Sequence, residues 1–598
     1  MQHRLLFGCA TAALALAAGG ALADDRNDPH TATPIKHLVV IFQENISYDH
    51  YFGTYPNAMN LPGETPFKAK PGTPLNNNLL TPLDVNNGFQ PLGGPNLLTN
   101  NPNSNPNAPV APNNSRQNGT DASNPFRLSR GQASTADQGH NDNPEQAAYN
   151  NGHMDGFPAW TGTAGTATSG PLPPPAAVAT KGLVMGYFDG NTVTALWNYA
   201  QHYAMSDNSW VTQFGPSSPG AINLISGQTN GFSATLHVFT GTPPVTLLHT
   251  THEAYGDASG SPSTLTLIGD ADPLGDACSG SEQVQMAGRN IGDLLNAKGI
   301  TWGWFEGGFN LQTVNANGST GCGRFTVATT ALSPASASTD YIPHHQPFQY
   351  YASTSNPTHA RPGSIAAIGH TDAANHQYDS DDFFAALNTG NLPSVTFLKA
   401  PAFQDGHAGY SDPIDEQHFI IKVSNALQQS KFWSSTAIVI LYDDSDGWYD
   451  HQMPPIVNPS FNPAIDVLNA PGVCNHGLQQ GKTTPAQPLN GNSGTPVWGR
   501  CGYGTRQPLL VISPYAKHNH IDHTLTDQTS VLRFIEDNWL AGDRIQPGGS
   551  LDTIAGTIEN MFDFDRHVDK DDRTLILDPS TGVVVFSSHH DGDDHNRH

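Results

Sequence analysis

Runs of consecutive apolar residues, many of them β-branched, recur along the chain and predict short buried strands. One run covers residues 37–42 and leads into a polar cluster at 43–53, and another covers 437–442 and leads into Asp443 and Asp444. Such runs are typical of a parallel sheet that is covered on both faces. In open α/β sheets, functional sites form beyond the carboxyl ends of the strands. We therefore expect the two polar clusters to meet at one edge of the sheet.

Strand and helix patterns alternate over the second half of the chain. Further apolar runs predict strands at 300–304, 395–398, 509–513 and 583–586. Periodic apolar positions predict helices at 290–296, 419–427 and 529–539. This alternation indicates the α/β class, with a layered domain built on a central, mostly parallel sheet. Residues 61–131 are instead rich in Asn, Pro and Gly, which predicts a long loop or surface insertion.

The charge balance excludes one class of partner. With 26 basic and 52 acidic residues the net charge is −26, so the chain has no basic face with which to hold nucleic acid. The 27 His residues offset part of this charge once they protonate below about pH 6.5. No segment approaches the roughly 20 apolar residues of a spanning helix, so we predict no transmembrane segment. The sequence gives no indication of the oligomeric state.

The N-terminus and the cysteines indicate export. Residues 1–23 combine a basic start, a short apolar stretch and the A-x-A ending Ala21-Leu22-Ala23, which predicts a signal peptide and a secreted or periplasmic protein. Four cysteines remain after its removal, and they are expected to form disulfides in an oxidising compartment. Sequence proximity favours Cys278–Cys322 and Cys474–Cys501, although four cysteines allow three pairings. A zinc site is the alternative, but no C-x-x-C pair is present.

Four oxygen-bearing side chains follow the two central apolar runs. Glu44 and Asn45 follow the first run, and Asp443 and Asp444 follow the second. Oxygen ligands of this kind suit a divalent cation, without choosing among magnesium, calcium, manganese and zinc. The alternative is that these residues are ordinary polar turns after core strands. Because the pattern occurs twice, we favour a metal site.

A helix N-terminus is predicted near residue 217. In the segment 214–227, Pro219 suits the first turn of a helix and Gly227 suits its end. Either Ser217 or Ser218 would then be the N-cap, where backbone amides favour an anion. An ordinary serine cap without chemistry is the alternative.

The motifs carry a family resemblance. Glu-Asn-x-Ser-Tyr-Asp-His-Tyr-Phe-Gly at 44–53 and Tyr-Asp-Asp-x-Asp-Gly-x-Tyr-Asp-His at 442–451 resemble signatures of the bacterial phospholipase C/acid phosphatase family. That family belongs to the alkaline-phosphatase-like superfamily, and the resemblance extends from about Pro34 to Trp539. It implies an alkaline-phosphatase-like catalytic domain at 34–545. The remaining residues, 546–598, are expected to form a C-terminal extension and a polar tail.

The resemblance also implies roles for individual residues. Ser217 matches the nucleophile of a Gly-Pro-Thr/Ser-x-Pro loop, but Gly220 replaces a frequent Asn, so Ser218 remains the alternative nucleophile. His140, His345 and His407 lie in matching motifs, although each could equally be a surface or structural histidine in a chain with 27 His. The expected chemistry is attack by a metal-activated serine and hydrolysis of a phosphoserine intermediate. Protonated histidines would stabilise the phosphoryl oxygens, and one would protonate the leaving group.

The substrate is expected to be a small phosphate ester or a phospholipid. Because little sequence follows the matched region, we favour an acid phosphatase acting on monoesters. A phospholipase C-type phosphodiesterase is the alternative. A non-enzymatic, calcium-dependent surface-binding protein is a more distant one, and sulfatase chemistry is disfavoured because the C/S-x-P-x-R setting is absent.

Overall fold

In the part of the chain that the computed structural model describes, nine strands form the central sheet. They are β1 (His37–Gln43), β2 (Ala204–Trp210), β3 (Trp302–Glu306), β4 (Gln377–Asp379), β5 (Val395–Lys399), β6 (Thr436–Tyr442), β7 (Arg506–Ile512), β8 (His520–Asp522) and β9 (Thr526–Asp527). The described residues are 30–94, 96–103, 124–163, 180–232, 236–238, 245–247, 254–255, 265–280, 282–329, 337–476, 487–566, 568 and 573–588.

The strand order confirms the predicted α/β class. It is β4-β3-β5-β1-β6-β7-β2-β8, and β9 also pairs with β2. Among these nine strands only β7 runs antiparallel to its neighbours. The first strand lies at the centre, parallel to β5 and β6, so that Val40 pairs with Phe397 on one side and Val439 on the other. All residues of β6 are buried, which is typical of a sheet covered on both faces.

Helices and short hairpins surround this sheet. In the described ranges the α-helices are α1 (Tyr48–Phe52), α2 (Asp142–Tyr149), α3 (Phe157–Trp160), α4 (Thr194–His202), α5 (Ser217–Ser226), α6 (Ile291–Lys298), α7 (Ser380–Thr389), α8 (Pro413–Gln428) and α9 (Thr529–Trp539). Shorter strands pair as Leu83–Asp84 with Gln90–Pro91, Phe126–Arg127 with Gly186–Tyr187, Leu265–Leu267 with Asn230–Phe232 and Ala254–Tyr255, Leu236–Val238 with Val245–Leu247, Asp272–Pro273 with Gln283–Val284, and Leu575–Leu577 with Val584–Ser587.

Local sequence explains most element boundaries. The helix α9 has the predicted bounds, and α8 begins at Pro413 after Asp412, whose carboxylate accepts two backbone N–H groups. The strand expected at 300–304 begins instead at Trp302. The reason is that Gly299 ends α6 in a left-handed conformation (φ 69°), and the N–H of Ile300 still donates to this helix. Residues 299–301 therefore form the connection between α6 and β3.

Part of the Asn-, Pro- and Gly-rich stretch packs into the interior. Asn76, Asn77 and Asn78 are at most 3% exposed. The backbone N–H of Asn77 donates to Asp207 (2.7 Å), and the side chain of Asn78 donates to the carbonyl of Tyr55 (2.7 Å). These residues lie in a loop, as the sequence predicts, but they are buried rather than at the surface, because hydrogen bonds satisfy their amides in the interior.

The described residues also contain the two disulfides favoured by sequence proximity. Cys278 bonds with Cys322 and Cys474 bonds with Cys501, with Cα atoms 5.2 and 6.1 Å apart. None of the helices in the described ranges is both long and apolar enough to cross a bilayer. The predicted signal peptide and the polar tail from residue 589 lie outside the described residues.

Candidate active site

The parallel register of β1 and β6 brings the two acidic clusters together. Gln43 pairs with Tyr442 at the ends of the strands, so Glu44 and Asp443 emerge at the same edge. One carboxylate oxygen of Asp443 accepts the backbone N–H groups of Asn45 (3.1 Å) and Asp444 (2.7 Å). Asn45 adopts a left-handed φ of 60°, which asparagine tolerates better than most residues. All four predicted ligands are at most 1% exposed.

Ser217 lies against this acidic cluster. Its hydroxyl is 3.1 Å from Oε2 of Glu44 and 3.0 Å from Oδ2 of Asp444. The predicted cap position is wrong by one residue, because Pro216 is the N-cap and Ser217 is the first helical residue. The structure places Ser218 differently: its hydroxyl is 3.3 Å from that of Tyr350, and its N–H donates to Asp270. The geometry therefore favours Ser217 as the reactive hydroxyl.

Close packing explains why Gly220 replaces the Asn that is frequent in the resembled motif. A Cβ at Gly220 would lie 2.1 Å from the carbonyl oxygen of Asp443, which is far inside van der Waals contact. The first turn of α5 therefore packs directly on the loop that carries two of the predicted ligands. Glycine at this position permits the contact.

The cluster has the features of a cation site. The side-chain amide of Asn45 lies 2.5 Å from Oε2 of Glu44 and 3.1 Å from Oδ1 of Asp443. Without a cation its nitrogen must face these oxygens, whereas with a cation its oxygen can face them. The other carboxylate oxygen of Asp443 is buried and has no hydrogen-bond partner. A buried oxygen without a donor is costly unless a cation is bound, so these residues fit a divalent ion.

A buried lysine contributes positive charge to the cluster. Lys399 ends β5, is 1% exposed and contacts the Glu44 carboxylate, and its ammonium is 3.9 Å from Oδ2 of Asp443. Burial and the Asp443 carboxylate raise the pKa of Glu44 well above its usual range, although Lys399 opposes this shift. Burial alone would raise the pKa of Asp443 too, but Lys399 and accepted hydrogen bonds lower it. Lys399 was not predicted from the sequence, although a charged residue at the end of a buried strand could have indicated it.

The structure brings the three predicted histidines to the same region. Nδ1 of His345 is 3.2 Å from Oε1 of Glu44, Nδ1 of His407 is 2.5 Å from the carbonyl of Ala408, and the rings of His140 and His407 are 5.9 Å apart. Their roles remain predictions.

The electrostatic environments of these histidines differ. Burial, followed by Lys399, lowers the pKa of His345, and burial also lowers the pKa of His407. Burial opposes protonation of His140 as well, but Asp444 and Asp446 outweigh it and raise its pKa well above 6.5. His140 therefore differs from His345 and His407 in how readily its ring takes up a proton.

Two further acids were not singled out from the sequence. Oδ1 of Asp446 lies 3.1 Å from Nδ1 of His140, and Oδ2 of Asp405 lies 3.9 Å from Nδ1 of His345. Both acids are fully buried. Asp446 lies in the motif at 442–451, and Asp405 precedes His407 by two residues. Their closeness in sequence to predicted site residues could therefore have indicated them.

Asp450 and His451, at the end of the motif at 442–451, form hydrogen bonds next to the acidic cluster. Asp450 accepts hydrogen bonds from the buried guanidinium of Arg506, and Nδ1 of His451 lies 2.6 Å from Asp49. Asp450 and His451 are thereby held in place by buried partners next to the loop that follows β6.

Comparisons with known proteins agree with the motifs. The family model described as the Phosphoesterase family matches residues 35–541. Non-hemolytic phospholipase C of Pseudomonas aeruginosa is 33% identical over 179 residues, which are 29% of this chain and 24% of that protein. Phospholipase C B of Mycobacterium tuberculosis is 27% identical over 158 residues, 26% of each chain. The match thus spans about a quarter of the length of these relatives.

Solved structures were also compared. Murine ectonucleotide pyrophosphatase/phosphodiesterase 5 is 11% identical, with a TM-score of 0.27, and the match covers 62% of this chain and 94% of that one. A protein in the alkaline phosphatase superfamily from Vibrio parahaemolyticus is 12% identical, with a TM-score of 0.23, covering 64% and 67%.

Proposed function

This chain belongs to the Phosphoesterase family, and from that premise we propose that it is a metal-dependent phosphoric ester hydrolase with Ser217 as its nucleophile. The observation that carries the proposal is the position of the Ser217 hydroxyl, within hydrogen-bond distance of both Glu44 and Asp444. A serine hydroxyl needs activation by a base or a metal, and this position places it beside carboxylates that could serve as a base or hold a metal.

The proposed metal ligands are Glu44, Asn45, Asp443 and Asp444, with Ser217 beside them. A divalent ion bound there supplies Lewis-acid polarisation and lowers the pKa of the serine hydroxyl. The oxygen-rich ligand set is compatible with magnesium, calcium, manganese and zinc.

In the first step, Ser217 Oγ forms a bond to phosphorus while the bond from phosphorus to the leaving oxygen breaks. The hydroxyl proton passes to one of the two carboxylates that it contacts. We assign His140 as the general acid that protonates the leaving oxygen, because the buried Asp446 carboxylate beside its ring favours the charged form. In the second step, a water molecule attacks phosphorus and its proton passes to His140. The Ser217 oxygen leaves and recovers its proton from the carboxylate.

His345 and His407 are proposed to contact the phosphoryl oxygens. Nδ1 of His407 already donates to the Ala408 carbonyl, and Nδ1 of His345 faces Glu44. A neutral ring placed in this way has no second N–H, so each ring becomes a donor to phosphate only when it is protonated. Anion binding through these rings is therefore favoured by acid, which supports the choice of an acid phosphatase.

A phospholipase C-type phosphodiesterase is the second candidate, and the similarity to two bacterial phospholipases C favours it. Both candidates use the same nucleophile and differ in the ester that is cleaved. We further propose that the protein is exported, which the A-x-A segment and the two disulfides support.

An activity panel tests the proposal. Purified protein with each divalent ion is given a chromogenic phosphate monoester and, separately, phosphatidylcholine vesicles, at pH 4 to 9. We expect turnover that is lost in Ser217→Ala and kept in Ser218→Ala, with the monoester preferred. Preference for phosphatidylcholine would select the second candidate. Calcium binding without turnover of any phosphate ester would indicate a binding protein instead.

A further inference from the structure

A buried carboxylate outside the predicted site connects its two main loops. Glu145 lies in the first turn of α2 and is 3% exposed. One of its oxygens accepts the backbone N–H of Gly215 (3.0 Å), and the other accepts the hydroxyl proton of Ser445 (2.6 Å). Neither contact could be inferred from sequence spacing, because the partners lie 70 and 300 positions away.

Each partner of Glu145 is close in sequence to a residue of the proposed mechanism. Gly215 precedes Ser217 by two residues and has a φ of 121°, a conformation that strongly favours glycine. Its N–H points into the interior and needs an acceptor. The carboxylate of Glu145 thus fixes the turn from which the nucleophile emerges.

The second contact of Glu145 is to Ser445 in the segment 443–447, which carries the proposed ligands Asp443 and Asp444 and is called the metal loop below. Ser445 lies between Asp444 and Asp446, and its hydroxyl both donates to Glu145 and accepts the N–H of Gly447 (3.1 Å). One carboxylate oxygen therefore holds the nucleophile loop, and the other holds the loop that carries a proposed metal ligand. The α2 helix also begins just after His140. This one helix is therefore connected to the segments that carry His140, Ser217 and Asp444.

We infer that Glu145 is a positioning residue, which sets the distance between Ser217 and the metal ligands through its hydrogen bonds to Gly215 and Ser445. This inference rests on the proposed function. Both partners are buried donors that face Glu145, and losing their acceptor leaves each donor unsatisfied, which is costly in the interior. A nucleophile displaced by about 1 Å costs on the order of 100-fold in rate.

Glu145→Ala and Glu145→Gln separate positioning from general stability. The amide oxygen of glutamine can accept from Gly215, and its nitrogen can donate to the Ser445 hydroxyl. We expect Glu145→Ala to lower kcat and kcat/KM together by about 10- to 100-fold. Inhibition by inorganic phosphate should change less than about twofold, because the anion-binding histidines are untouched. Glu145→Gln should recover most of the loss.

Glu536 provides a matched control. It is buried on α9 and accepts hydrogen bonds from the backbone of Ile545 and the side chain of Arg544, both at 3.0 Å. Glu536→Ala should destabilise the fold without lowering kcat per folded molecule. If Glu145→Ala does not fold, Ser445→Ala removes one of the two contacts alone and should lower kcat partially.

A double-mutant cycle completes the test. The loss in Glu145→Ala/Ser445→Ala should be no larger than the loss in Glu145→Ala, since both changes break the same contact. Additive losses, or full kcat in Glu145→Ala while wild type is active, would overturn the inference and leave the proposed function standing. Absence of turnover in wild type would instead count against the proposed function.

Discussion

Asp446 and His140 form a buried pair, with Oδ1 of the aspartate 3.1 Å from Nδ1 of the imidazole. The aspartate is fully buried, and its N–H donates to Oδ1 of Asp444 (2.7 Å). The pair therefore connects the proposed general acid to a proposed metal ligand through one residue. This relationship distinguishes His140 from His345 and His407, whose pKa values are lowered on balance, chiefly by burial.

The first prediction concerns Asp446→Asn. Removing the carboxylate lowers the pKa of His140, so the ring loses its proton at a lower pH. The alkaline limb of the kcat–pH profile should move to lower pH, and kcat at the optimum should fall by about 10- to 100-fold. Asp137→Asn is the control, because that carboxylate is 3.6 Å from the ring and 55% exposed, and should move the limb less. An alkaline limb that stays in place in Asp446→Asn would reject His140 as the acid.

The second prediction concerns the covalent intermediate. Because the Ser217 hydroxyl contacts two of the four proposed ligands and that of Ser218 faces Tyr350, protein quenched in acid during turnover should carry one phosphoryl group on Ser217. Peptide mass spectrometry measures this label. The label should persist in Ser218→Ala and vanish in Ser217→Ala. A label on Ser218 would identify Ser218 as the nucleophile instead. Protein that stays unlabelled during turnover would indicate direct attack by water.

The apolar pattern was sufficient to predict where the site lies. The runs at 37–42 and 437–442 fix two adjacent strands, and geometry then requires Glu44 and Asp443 to share an edge. Pattern alone could not show which strand lies on the other side of β1. For that reason Lys399, at the end of β5, was missed although it contacts Glu44.

Hydrogen bonds between segments that are far apart in the chain could not be predicted from the sequence. Glu145 and the buried Asn77 occupy stretches that look like ordinary polar sequence, and their partners are set by tertiary packing. The protonation of the histidines is similar, because His345 and His140 differ in burial and in neighbours rather than in residue type. The sequence supplies the candidate residues, whereas burial and neighbouring charges set their pKa values.

The third prediction concerns the ligands. Asp443→Asn and Glu44→Ala remove buried carboxylate oxygens that the cluster presents to a cation, so each should weaken divalent-ion binding and lower turnover by at least about 100-fold. Isothermal titration calorimetry with each metal measures the binding. Asp381→Asn, at an exposed position of α7, is the control. Unchanged metal affinity in both ligand variants would place the ion elsewhere.

The fourth prediction concerns the contact between α5 and the metal loop. Gly220→Ala would place a Cβ 2.1 Å from the Asp443 carbonyl, so the loop must shift. We expect a loss of about 1–3 kcal/mol in the free energy of unfolding, together with weaker metal binding. Gly323→Ala, where a Cβ meets nothing within 4 Å, should change neither quantity. Wild-type metal affinity in Gly220→Ala would show that the packing is not required for the site.

The last prediction concerns stability in acid. His50 is buried, stacks on Trp448 with ring centroids 4.0 Å apart and donates from Nδ1 to the Gly186 carbonyl (2.7 Å). Burial lowers the pKa of His50 from 6.5 to about 3. The unfolded chain therefore takes up this proton first as the pH falls. The stability that the neutral ring contributes is fully present above about pH 6.5 and is lost progressively toward pH 3, by on the order of 4 kcal/mol or less.

His50→Asn tests this dependence, because asparagine keeps a donor for Gly186 and does not titrate. Urea unfolding at pH 7 and at pH 4.5 should show a smaller loss of free energy between the two conditions in the variant than in wild type. The variant should also be less stable at pH 7, since the stacked ring is gone. His153→Asn, at an exposed position, should match wild type at both pH values. Equal losses in His50→Asn and wild type would mean that other buried groups whose pKa is lowered in the fold, such as His345, govern the loss of stability in acid.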